Sequence, residues 1–169
     1  YESEIYRVDL SNGSCTKTAY VAPPDDHRFP HFGMAFASTP GAPNDETLFV
    51  RGVYLSYDPA PEPPDERWIG RLDTTLGTIT AIGSAPGGDG ELSSSAGHLY
   101  AFGEPVDDAW AVAEEVDGAT GQSLASISLP GVTISYDFAF AAWGGDFWIF
   151  TDTSSISGTV VTHYRPTTG

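Results

Sequence analysis

Ile69-Gly70-Arg71-Leu72-Asp73-Thr74-Thr75-Leu76-Gly77 carries the pattern on which the fold depends: an alternating strand, a turn and a glycine. The same unit stands earlier as Ile5-Tyr6-Arg7-Val8-Asp9-Leu10-Ser11-Asn12-Gly13. A weaker copy runs Glu115-Val116-Asp117-Gly118-Ala119-Thr120-Gly121, and a last one His163-Tyr164-Arg165-Pro166-Thr167-Thr168-Gly169. Each demands a tight hairpin, in which Asp, Asn, Ser or Thr bonds to nearby backbone and Gly supplies a positive φ.

Working outward, a second strand follows each turn: Cys15–Val21, Thr78–Gly83 and Ser123–Leu129. A further pair precedes it. Its first members are Gly33–Ala37, Gly90–Ser94 and Asp137–Ala141; its second are Glu46–Val50, Gly97–Phe102 and Gly145–Phe150. The repeat is four strands at a period of roughly 45 residues. In chain order the strands fall in groups of two, four, four and three. Asp108–Val116 also carries helix formers, but it alternates and ends at Asp117-Gly118, so it reads as a strand, with a helical turn as the alternative.

This pattern predicts an all-β fold of antiparallel four-stranded blades, a partial β-propeller of about three to four blades. Residues 1–169 then form one propeller-type domain, or a fragment of a larger one. Its blade parts are 1–22, 31–85, 88–130 and 134–169. The Pro-rich acidic stretch 54–66 cannot be a central strand and is expected to be an exposed insertion between two strands. A two-sheet sandwich is the competing architecture.

The quoted units resemble the repeats of YVTN-type and quinoprotein-like β-propellers. More closely, the order GMAF, ETLFV, IGRLD, GDGEL, HLYAF and FAFAAWGGDFWIFT is similar to uncharacterised exported propeller-like proteins of high-GC bacteria. The resemblance spans nearly the whole chain and is carried by structural motifs, so no functional residue is transferred through it. It implies an extracytoplasmic location, secreted or lipid-anchored as a lipoprotein through a region outside this segment. The chain departs from the pattern at 54–66 and at Glu114–Glu115, where an apolar-Arg pair is expected.

Composition narrows the partners. The 169 residues are 40% hydrophobic and 12% aromatic, which is enough for a packed core despite 19 Gly and 13 Pro. Net charge is −16, and no two adjacent residues are both basic. No patch can neutralise a run of phosphates, so nucleic acid is not expected as a partner. Anionic lipid is repelled, and no apolar run is long enough to span a bilayer, so membrane insertion is not expected either. Cys15 is the only cysteine: a buried thiol, or one paired outside this segment. The chain opens at Tyr1 on a strand-like run, as expected of a piece of a longer polypeptide that supplies further blades.

Candidate sites are few. Asp25, Asp26, His27 and His31 could ligate a divalent metal, or form a solvated loop. Asp89 and Glu91 lie in a short acidic Gly loop that would suit calcium, although the glycines are equally explained by a connection between blades. No cofactor is expected beyond that calcium. Trp143, Asp146 and Trp148 flank a Gly-Gly turn; the aromatics either make a sugar-stacking platform or fill core between blades, the latter reading also covering Trp68 and Trp110. Tyr57 and Asp58 represent the insertion as a binding loop. Ser93–Ser95 reads as a turn before Gly97, and no GxSxG elbow is present. The expectation is a non-catalytic extracytoplasmic module that scaffolds, or binds protein or glycan. The alternatives are a hydrolase or lyase with a site at the channel, and a purely structural repeat of a cell-surface protein.

Overall fold

The computed structural model describes residues 4–22, 28–29, 31–53, 67–85, 90–103, 110–134, 138–152 and 158–166. They form an all-β fold of four antiparallel sheets. The first sheet pairs β1 (Tyr6–Val8) with β2 (Cys15–Lys17). The second runs in chain order through β3 (His31–Thr39), β4 (Ala42–Val53), β5 (Trp68–Asp73) and β6 (Thr78–Ser84). The third does the same with β7 (Gly90–Ser95), β8 (His98–Gly103), β9 (Val112–Val116) and β10 (Ser123–Ser128). The fourth holds β11 (Phe138–Trp143), β12 (Asp146–Asp152) and β13 (Thr159–Tyr164). The grouping of two, four, four and three strands matches the repeat read from the sequence. No sheet closes on itself among the described residues. The insertion 54–66 lies outside them.

The strand–turn–glycine units fold through their aspartates. Asp73 Oδ1 accepts the backbone N–H of Thr75 at 2.8 Å and of Leu76 at 2.9 Å, and Gly77 returns its N–H to Asp73 O at 2.8 Å. Asp9 accepts the N–H and hydroxyl of Ser11 and the side-chain amide of Asn12, and Asp117 accepts the N–H of Ala119 and the hydroxyl of Thr120. Gly13, Gly77 and Gly121 adopt φ of 73°, 68° and 77°, a region that an L side chain resists. β9 starts at Val112, later than the sequence suggests. Ala111 instead exchanges backbone bonds with Val132 and Leu129, which turns the chain away from the β8 ladder.

Three apolar layers alternate with the four sheets. Ile5, Tyr20 and Phe29 pack on Leu48, Val50 and Leu72 of the second sheet. The other face of that sheet sets Ala37, Phe49 and Ile69 against Leu92, Leu99, Ala101 and Val116 of the third. Phe102, Ala113 and Leu129 then meet Phe140, Phe147 and Ile149 of the fourth. The period of two explains how one strand serves both neighbours: on β4, Leu48 and Val50 point back while Phe49 points forward. Burying a side chain such as Phe49 contributes about 1.5–3 kcal/mol. The sheets therefore stack in series. A two-sheet sandwich, with one outer face per sheet, does not describe them.

Polar side chains reinforce the stack. Arg51, buried on β4, donates from Nη1 to Phe102 O on β8 at 3.2 Å. Arg71 Nη2 reaches Gly118 O in the turn after β9 at 2.6 Å. Between the third and fourth sheets, Glu91, Ser93 and Ser95 on β7 accept N–H groups from Phe140, Ala142 and Gly145 at 2.8, 2.8 and 3.2 Å. Strand β11 ends its sheet, so these side chains satisfy backbone donors that no further strand pairs. Ser93–Ser95 are thus strand residues; the turn they were expected to make lies at Ala96–Gly97.

Candidate binding surface

The first hairpin turn of each of the last three sheets lies on one shared rim. Pro40–Gly41 joins β3 to β4, Ala96–Gly97 joins β7 to β8, and Gly144–Gly145 joins β11 to β12. Ser38 N donates to Gly97 O at 3.2 Å and Gly145 N to Ser95 Oγ at 3.2 Å, so each turn is tied to the next. Gly144 and Gly145, at φ 65° and 87°, form the primed two-residue turn that matches strand twist.

An open polar cleft of about 540 Å³ sits on this rim between the second and third sheets. Asp45 and Glu46 bring carboxylates, Asn44 an amide, Ser38 and Ser94 hydroxyls, and Phe36 an exposed ring. A recess of about 300 Å³ shares Ala37, Ser38 and Gly97 with it and adds His98 and Glu115, paired at 2.7 Å. Lined this way, the cleft can accept and donate several hydrogen bonds and offer one aromatic face.

Farther along the rim, Trp143 is 76% exposed. It does not fill core, because the face that it shares with Ala141, Trp148 and His163 has no described sheet beyond it. Trp148 stacks on His163, with ring centroids 4.2 Å apart and planes 10° from parallel. Asp146 Oδ2 accepts from His163 Nε2 at 2.6 Å and from Arg165 Nε at 3.4 Å. The His163 bond, with Arg165 adding to it, holds the Asp146 carboxyl below the ordinary carboxylate range. Of the other tryptophans, Trp68 is half-buried against the first apolar layer with Arg28 over its ring, whereas Trp110 is exposed rather than in core.

Of the residues proposed for metal, His31 and Glu91 are among the described ones. Asp25, Asp26, His27 and Asp89 lie outside the described residues, as do Tyr57 and Asp58. His31 opens β3. Glu91 turns toward β11, and burial raises its carboxyl above the ordinary value, against the bond from Phe140 N–H that lowers it. No three His, Cys, Asp or Glu side chains converge among the described residues. The cleft itself is legible only after folding, since Ser38 and Ser94 reach it from different sheets. Searches against protein-family models, curated proteins and solved structures return no match for this chain.

Proposed function

We propose that this chain is a non-catalytic module of β-propeller type, exported from the cytoplasm, whose hairpin rim binds a glycan or a protein surface rich in hydroxyl and amide groups. The observation that carries the reading is the cleft: carboxylates, an amide and hydroxyls converge beside the exposed ring of Phe36. Such a lining suits a polyhydroxylated ligand, with hydrogen bonds fixing its orientation and the ring covering its apolar face. Trp143, exposed on the same rim, offers a second stacking surface. Serial stacking of sheets, the last three with their first turns on one edge, supports the propeller architecture.

Calorimetric titration of the purified chain with a panel of oligosaccharides tests this. A binding oligosaccharide should lose about tenfold or more in affinity with Phe36→Ala, and similarly with Asp45→Asn, as expected when one contact worth about 1.4 kcal/mol is removed. Binding that is indifferent to both substitutions would remove the cleft as the site.

A further inference from the structure

Among the described residues the serial stack ends in two faces with no further sheet on them, and equivalent positions in the inner sheets show what each is built to meet. Strand register aligns the repeats: Leu48 faces Leu72, Leu99 faces Val116, and Phe147 faces Tyr164. Three residues before the last member of each pair stand Ile69, Ala113 and Val161. Ile69 and Ala113 are fully buried under the sheet that follows, whereas Val161 is 53% exposed. Phe102 is likewise fully buried, and Phe150, its counterpart on β12, is 39% exposed. On β11 the small side chains Ala139 and Ala141 share this outer face. They match Gly33 and Ala35 of β3, where Gly33 already lets the β7 backbone come close. The fourth sheet therefore presents a face made to receive a following sheet.

The first sheet presents the opposite kind of face. Val8 is the counterpart of Leu72 and Val116, which are 5% and 3% exposed against the preceding sheet; Val8 itself is 51% exposed. Tyr6, Lys17 and Cys15 share its face by register, and Tyr6 and Cys15 are also exposed. Glu4 pairs with Lys17. Over residues 4–22 the acids Glu4 and Asp9 balance the bases Arg7 and Lys17, so this end is locally neutral in a chain of charge −16.

We propose that the two faces meet between copies of this chain: the Val8 face of one copy seats on the Val161–Phe150 face of the next, head to tail. One chain carries both halves of the contact, and the contact continues the sheet-on-sheet interfaces already present. A heterologous contact of this type closes into a ring where the rotation per copy allows it and otherwise adds copies in one direction. Net negative charge opposes the approach, so added salt strengthens it. The proposal does not depend on what the rim cleft binds.

Light scattering tests it. The wild-type mass should rise with concentration, more so at high salt, while Val8→Asp and Val161→Asp each remain at the mass of one chain with unchanged far-ultraviolet circular dichroism. Mixing these two variants should restore association but stop at two chains, because each retains one intact face. Cys15 alkylation should slow in step with wild-type mass. A wild type that keeps the mass of one chain throughout would overturn the proposal and leave the face to some other sheet. Variants that still associate, a mixture that stays monomeric, or Cys15 alkylation indifferent to mass would also overturn it.

Discussion

His163 Nε2 lies 2.6 Å from Asp146 Oδ2, and the same two positions one sheet earlier hold Glu115 and His98 at 2.7 Å with acid and histidine exchanged. Each pair links the first residue of the second strand to the third strand, beside an apolar cross-strand pair (Leu99 with Val116, Phe147 with Tyr164). The second sheet has Thr47 and Arg71 at these places, and Arg71 turns instead to the Gly118 carbonyl. In both pairs the acid takes a histidine opposite, whichever of the two strands carries it.

The Asp146 pair makes a prediction about acid stability. The His163 bond holds the Asp146 carboxyl below its ordinary value, so the stability it adds is present above the unfolded value and lost as pH falls through the lower, folded one. Asp146→Asn should remove that contribution. Urea midpoints measured from about pH 5 down to pH 2 should fall less steeply in the variant than in the wild type.

Glu91 has the opposite sign. Burial raises its carboxyl, so its contribution is fully present below the unfolded value and is lost as pH rises through the folded one. Glu91→Gln keeps an acceptor for Phe140 N–H and removes the buried charge, so at neutral pH it should match or exceed the wild-type melting temperature. Glu91→Ala strands that donor and should cost about 1–3 kcal/mol. Equal losses in both variants would mean that the bond to β11 is not what Glu91 contributes.

Two turn glycines separate conformational from steric cost. Gly13, at φ 73°, has open space where a side chain would go. Gly13→Ala should cost about 1–2 kcal/mol from backbone conformation alone. At Gly77, φ 68°, a Cβ would collide with the Ala19–Tyr20 backbone. Gly77→Ala should therefore lose clearly more in chemical denaturation, and comparable losses would contradict the packing of that turn against the first sheet.

Ile69 and Val161 occupy matching places with unlike surroundings. Ile69→Ala should cost about 2–5 kcal/mol through the cavity it leaves. Val161→Ala, measured in dilute solution, should stay within about 0.5 kcal/mol. Equal costs would show that the outer face of the fourth sheet is already covered within one chain.

Local chemistry made much of this fold readable from residues alone. Asp9, Asp73 and Asp117, each followed by a glycine four residues on, specify their turns because the bonds involved close within five residues. Alternation specifies the strands, since side chains on a pleated ribbon must point to opposite sides. The cleft was far less legible: Phe36, Asp45 and Ser94 are brought together only by packing of two sheets. The ladder from Glu91 to Phe140 N spans 49 residues and leaves no periodic trace.

The sequence by itself determined which segments become strands, how they group and where the aspartate-led hairpins reverse, because those are questions of dihedral preference and nearest neighbours. Tertiary structure alone decided which apolar faces are shielded from water. Ile69 and Val161 have the same β-branched character in the same repeat position, yet one is enclosed and the other open. Burial depends on whether a neighbouring sheet is present, and no residue records that in its own side chain.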